Sequence, residues 1–158
     1  GILLNNHMDD FSIGIGQGNA YQLVGNRANG IEAHKRPLSS MSPTFVESDR
    51  GILAIGSPGG SRIISMVVLS VLEYLDPGEF SSEAVVSLPR YHHQYLPDRV
   101  QIEPDSFDND WVAELKQRGH NVQVYRRKWG NMQAVYCPKS EQICEVLNDP
   151  RGREGVVF

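Results

Sequence analysis

Residues 52–75 read ILAIGSPGGSRIISMVVLSVLEYL, and this stretch decides the fold. Its first four residues are apolar and suit a buried strand. Gly56, Ser57, Pro58, Gly59, Gly60 and Ser61 then interrupt the run, because glycine reaches backbone conformations closed to other residues and proline cannot donate to a strand ladder. After the turn, Ile63, Ile64, Val67, Val68, Val71, Leu72 and Leu75 recur at helical spacing, with Met66 and Leu69 widening the stripe. The helix is therefore expected to be largely buried, and Asp76, Pro77 and Gly78 supply its stop. A glycine turn between a strand and a helix leaves backbone N–H groups free at the positive end of the helix dipole. Such a place accepts a carboxylate, a phosphate or a developing oxyanion. No Gly-Lys-Ser/Thr closes the turn, and its spacing is not Gly-x-Gly-x-x-Gly, so nucleotide binding has little support. On the turn alone, a tight strand-to-helix connection accounts for the glycines equally well.

Upstream of this unit, residues 43–47 are β-prone and a turn at 48–51 joins them to 52–55, which predicts a hairpin. Residues 2–4 predict a short buried strand, and 12–37, rich in Gly and Asn without apolar periodicity, predict an irregular loop. Downstream, a short helix is expected near 82–87, then a proline-punctuated segment over 88–97 and a strand at 100–102. Asp108 or Ser106 is placed to cap a helix over 110–118 that Gly119 ends. Strands are expected at 122–125, 133–136 and 143–146, with 138–141 as the turn between the last two and 149–153 as a further turn. There is no internal repeat. The pattern is that of one α+β domain over 1–158.

Composition agrees with that scale: 158 residues, 40% hydrophobic and 22% charged, lie near the globular average and argue against disorder. With 15 Lys+Arg against 19 Asp+Glu, the net charge of -4 disfavours a nucleic-acid partner, which needs clustered cations. The one basic run, Arg126, Arg127 and Lys128, reads as a solvated strand end. The longest apolar stretch, 63–75, is far short of the ~20 residues that cross a bilayer, so no membrane span is expected. The N-terminal residues show no signal-peptide pattern, and a chain opening inside a strand-like run is expected to have lost sequence upstream. Cys137 and Cys144 are too few for a structural zinc site, leaving one disulfide or two free thiols.

Several side chains invite chemistry. Ser39 and Ser40 follow Lys35 and Arg36, placing hydroxyls beside cations, although exposed turn chemistry is a good competitor. Asp9 and Asp10 suit an ammonium or a metal, but adjacent carboxylates point apart in an extended chain and a loop-capping role competes. His92 and His93 lack a spaced third ligand, so a hydrogen-bonded structural pair is the better reading than a metal site. There is no Gly-x-Ser-x-Gly elbow, and neither cysteine sits in a positive glycine-flanked turn. If these residues form an acyl-transfer site, it would be complete in every respect except its nucleophile.

Three segments, 1–12 (GILLNNHMDDFS), 35–44 (KRPLSSMSPT) and 56–63 (GSPGGSRI), together resemble the small subunit of γ-glutamyltranspeptidase, also called glutathione hydrolase, an N-terminal-nucleophile hydrolase. Residues 89–97 (PRYHHQYLP) and 149–151 (DPR) look like the same family. The resemblance implies γ-glutamyl transfer and hydrolysis through a γ-glutamyl-enzyme intermediate, in a protein that cuts itself from a precursor. No cofactor is implied. Gly59 and Gly60 would supply the oxyanion-hole amides, Asp10 would hold the substrate α-ammonium, and Ser39 and Ser40 would bond the α-carboxylate with help from an arginine of the large subunit. His7 stands where some members carry glutamine near the ammonium.

The chain departs from the family at the nucleophile, the threonine that autoprocessing exposes. Thr44, the only threonine here, belongs to the Ser-Pro-Thr motif and cannot replace it. The resemblance therefore implies the carboxy-terminal portion of a small subunit, inactive alone, whose partners are the large subunit, the rest of the small subunit, γ-glutamyl substrates, and amino-acid or peptide acceptors. It further implies part of a four-layer αββα sandwich of antiparallel sheets and a periplasmic or secreted setting, which a Cys137–Cys144 disulfide would suit. Two alternatives share parts of this reading. A non-catalytic amino-acid or γ-glutamyl binding module would use Asp10, Ser39 and Ser40, and cephalosporin acylase has the same fold but a head group that suits those residues less well.

Overall fold

A computed structural model describes residues 1–2 and 4–152 of the chain. Strands β1 (Thr44–Ser48) and β2 (Gly51–Gly56) form the expected hairpin, Thr44 opposite Ile55 and Ser48 opposite Gly51. β6 (Gln133–Pro138) pairs with the other edge of β2, and β7 (Glu145–Asn148) with β6, giving an antiparallel sheet in the order β1-β2-β6-β7. Helices α1 (Arg62–Leu75) and α2 (Ser82–Ser87) lie on one face of it.

The pleat sorts each strand into two faces. Leu53 and Ile55 of β2, Ala134 and Tyr136 of β6 and Leu147 of β7 are buried against Ile63, Met66, Val67 and Tyr74 of α1 and Val85 and Val86 of α2. Each such large apolar side chain contributes about 1.5–3 kcal/mol by leaving water. Three side-chain bonds fix how the helices sit on the sheet: the Ser70 hydroxyl donates to the Val85 carbonyl at 2.7 Å, Tyr74 donates to the Gly51 carbonyl at 2.7 Å, and the Ser48 hydroxyl donates to Tyr74 at 2.9 Å.

The second sheet, β3-β4-β5, lies beyond α1. β3 (Tyr91–Gln94) and β4 (Arg99–Ile102) are antiparallel, but β4 and β5 (Val122–Val124) are parallel. The sheets are antiparallel as expected apart from this pair, where α3 (Asn109–Gln117) carries the chain back to the start of the neighbouring strand, as a parallel connection requires. The Asp108 side chain caps α3 by accepting from the Trp111 N–H at 2.6 Å, and Gly119, at φ +91°, ends it, as expected.

Other expectations need correction. Ile2 and Leu4 are exposed and lie outside any strand, because no described strand pairs with them; Leu3 lies outside the described residues, as does Arg153 of the expected terminal turn. Helix α1 buries one face only: Ile64, Val68, Leu72 and Leu75 are half or more exposed, since the sheet covers a single side of the stripe. β3 occupies the proline-punctuated segment, where the polar run Tyr91, His92, His93 and Gln94 becomes a strand through pairing with β4. β7 runs two residues later than expected, the turn before it being extended to include Cys144. That cysteine is bonded to Cys137, which resolves the two alternatives for the thiols.

Candidate functional site

The glycine turn leaves β2 at Gly56 and enters α1 at Arg62. Gly59 adopts φ +151° and Gly60 φ +58°, both in territory that favours glycine. Their carbonyls accept from the Arg62 and Ile63 N–H groups at 3.2 and 3.1 Å, starting the helix, while their own N–H groups bond to no described residue. Two successive amides with no acceptor among the described residues therefore precede the helix, where an anion is favoured. A methyl group on Gly60 would collide with the Tyr21 ring, and one on Gly59 would press on the Met66 methyl.

Tyr21 comes from the segment expected to be an irregular loop. The segment is irregular as expected, and asparagine side chains order it locally. The Asn19 side chain, itself buried, accepts from the N–H groups of Tyr21 and Leu23 at 3.0 and 3.1 Å, and Gln22 turns back with φ +62°. This holds Tyr21 at the apex of a tight turn. Its hydroxyl accepts from the Asn6 side-chain amide at 2.7 Å, tying the Gly60 turn to the residue beside His7.

The carboxylate and hydroxyl candidates meet through Asn29, which the sequence reading did not single out. Asp10 ends a short 3-10 helix, His7–Asp10, started by the Asn6 carbonyl accepting from the Asp9 N–H and anchored by buried Phe11 and Ser12. Buried Asn29 donates to the Asp10 carbonyl at 2.8 Å, and its side-chain oxygen accepts from the Leu38 N–H at 2.9 Å. One asparagine thus clamps the Asp10 turn to the segment that carries Ser39 and Ser40. The half-buried Asp10 carboxylate and the Ser40 hydroxyl have no hydrogen-bond partner among the described residues, which leaves both open to a ligand. Ser39 is engaged locally, its oxygen accepting from the Met41 N–H at 3.2 Å. His7 is exposed, and its ring bonds to no described residue. Lys35 pairs with Glu32 at 3.2 Å rather than with the serines.

His92 and His93 point to opposite faces of β3. His93 pairs with Asp98 at 2.8 Å, whereas His92 is buried between the Ser65 hydroxyl at 2.7 Å and the Gln94 side-chain oxygen at 2.8 Å. Gln94 donates its amide hydrogens to the Tyr21 and Leu96 carbonyls, so its oxygen faces His92 and accepts from Nε2, leaving Nδ1 to accept from Ser65. Burial pushes the His92 imidazole below its ordinary value, the Gln94 bond opposes this, and Arg62 and His93 push it further down. The pair is structural, and through Gln94 it supports the backbone of Tyr21.

The model of the gamma-glutamyltranspeptidase family matches residues 1–158. The chain belongs to the gamma-glutamyltranspeptidase family. It is 46% identical over 152 residues to the glutathione hydrolase proenzyme of Escherichia coli (strain K12), covering 96% of this chain and 26% of that protein. A solved mutant of Helicobacter pylori gamma-glutamyltranspeptidase superposes with a TM-score of 0.86 at 42% identity, over 96% of this chain and 82% of that one. Gamma-glutamyltranspeptidase from Pseudomonas nitroreducens complexed with L-DON gives the same TM-score at 38% identity, over 100% and 81%. The chain spans about a quarter of the length of the E. coli relative. Within this gamma-glutamyltranspeptidase fold, Tyr21 and Asn29 carry no local signal that marks them, because each acts on a partner distant in sequence: Gly60 for Tyr21, and both Asp10 and Leu38 for Asn29.

Proposed function

We propose that the chain is one part of a longer gamma-glutamyltranspeptidase and supplies the oxyanion hole and head-group contacts of its γ-glutamyl transfer site. The observation that carries this is the pair of free amides at Gly59 and Gly60, held open by positive φ angles beneath Tyr21. The nucleophile is a threonine outside these residues, made N-terminal when the precursor cuts itself. Its hydroxyl oxygen bonds to the γ-carbonyl carbon while its own amine takes the proton. The carbonyl oxygen gathers charge against the Gly59 and Gly60 amides, the C–N bond breaks, and the departing amine takes up a proton. Water or an amino-acid or peptide amine then cleaves the ester, giving hydrolysis or transfer. Asp10 holds the α-ammonium, since a desolvated cation needs an opposite charge, and Ser39 and Ser40 bond the α-carboxylate. His7 lies beside the ammonium, where a neutral ring serves better than a charged one. The chain alone lacks the attacking group and is inactive. As a portion of a periplasmic or secreted enzyme it works against the large subunit and the remainder of the small subunit.

Release of chromophore from a γ-glutamyl anilide, measured for the full-length protein and for this chain, tests the reading. Turnover by the full-length protein alone is the expected result. Turnover by neither would replace the enzyme with an amino-acid binding module, and turnover by the chain alone would overturn the placement of the nucleophile.

A further inference from the structure

A cavity of about 210 Å³ shares Tyr21 with the Gly60 turn and is lined further by Ser61, Arg62, Gln94, Arg99 and Tyr125 among others. Two guanidinium groups line it and, among the described residues, no acidic one does. Arg62 has only neutral partners among the described residues. Its Nε and Nη2 donate to the Gln101 side-chain oxygen at 3.2 and 2.6 Å, and its guanidinium stacks 4.7 Å from the Tyr125 ring centre and 5.3 Å from that of Trp129. This locks the group in place without neutralising it. Arg99 has no side-chain hydrogen bond or ion pair to any described residue, although its Nε is fully buried. A buried donor without an acceptor costs free energy, and more so on a charged group. Arg90 and Arg151, whose side chains are well buried, both have carboxylate partners. Among the described residues, neither Arg62 nor Arg99 at the cavity meets a carboxylate.

We propose that this cavity is a carboxylate subsite, holding the carboxylate end of the small amine that leaves, or attacks, at the neighbouring Gly59–Gly60 turn. The proposal rests on the acyl-transfer reading of that turn. The planar fork of a guanidinium matches a carboxylate in two bonds, and the cavity is smaller than the ~300–1,000 Å³ of drug-sized sites, which suits an amino acid or dipeptide end. Tyr21 forms part of both the cavity and the wall over Gly60, and Ser61, which follows Gly60 directly, also lines the cavity, so the cavity adjoins the turn.

In the full-length protein, acceptor kinetics with glycylglycine and with glycylglycinamide, which lacks the carboxylate, should differ about tenfold or more in KM, the worth of one charge-assisted bond. Arg99→Gln should abolish that preference through the glycylglycine KM rather than through kcat, and Arg99→Lys should restore part of it. Arg118→Gln, on an exposed arginine at the end of α3, should keep the preference intact. No preference in the unaltered protein, or one that survives both Arg99→Gln and Arg62→Gln, would overturn the subsite. Calorimetric titration of glycylglycine separates this from the acyl-transfer reading. Binding that depends on Arg99 in a protein that does not turn over a γ-glutamyl anilide would remove the reaction and retain the subsite. Binding that is absent or indifferent to Arg99 would overturn the subsite whatever the turnover.

Discussion

At Gly60 a single methyl group would act on the proposed site itself. An alanine there must hold φ +58°, at about 1–2 kcal/mol of local strain, and must displace the Tyr21 ring. On the proposed oxyanion-hole reading, either response would turn the Gly60 amide away from the developing charge. Gly60→Ala in the full-length protein should therefore lower kcat by about 10²–10³, the effect of losing one oxyanion donor. Asp10→Asn should behave differently on the proposed reading, because the half-buried carboxylate has no partner among the described residues and would act on the ground-state ammonium. It should raise the donor KM about tenfold or more with a smaller change in kcat. Steady-state kinetics on a γ-glutamyl anilide reads both, and unchanged values for both would sink the site assignment.

Among the elements, the β6–β7 hairpin depends most on a covalent link. β7 has four residues and pairs on one side only, through Gln133 to Tyr136 of β6. The Cys137–Cys144 bond, seven residues apart in sequence, closes the turn and removes loop freedom from the unfolded chain. For so short a loop the entropic contribution is about 2–2.5 kcal/mol. Cys144→Ser should lower the stability of the full-length protein by that amount in a denaturant titration, and reduction of the unaltered protein should lower it equally. No difference between the oxidised protein and the variant would show that pairing with β6 suffices to hold β7. Helix α1 is held without a covalent link, by apolar packing and the hydrogen bonds of Ser70 and Tyr74, and its outer stripe stays exposed.

Across the whole molecule, a buried ionic cluster ties the two sheets and the C-terminal segment together. Arg90, at the start of β3, donates to the Trp129 and Val86 carbonyls and to Asp149, while Arg151 grips both oxygens of Glu103, at 2.7 and 2.6 Å. Glu103 also accepts from the Arg90 and Trp129 N–H groups. Burial opposes the ionisation of Asp149, but the N–H groups of Met132 and Arg151 and the Arg90 guanidinium outweigh it and hold the carboxyl below the usual carboxylate range. The stability Asp149 contributes is thus complete above the usual range and is lost as pH falls through its lower folded value. Asp149→Asn, which leaves Arg90 without its charge partner, should cost about 3–5 kcal/mol near neutral pH and flatten the acid limb of a pH-dependent thermal melt. An unaltered acid limb would show that other carboxylates carry it. The sequence by itself determined the β2-turn-α1 unit, the first hairpin, the capped helix α3 and the residues on which the family resemblance rests, because strand alternation, helical period and glycine turns are local properties. Only the tertiary structure decided that polar β3 is a strand, that β5 runs parallel to β4, that Cys137 bonds Cys144, that Asn29 clamps Asp10 to the serine segment, and that Arg90, Glu103, Asp149 and Arg151 form one cluster. Each of these joins residues far apart in the chain or chooses between pairings that local pattern leaves equivalent, so its energy exists only once the chain has closed.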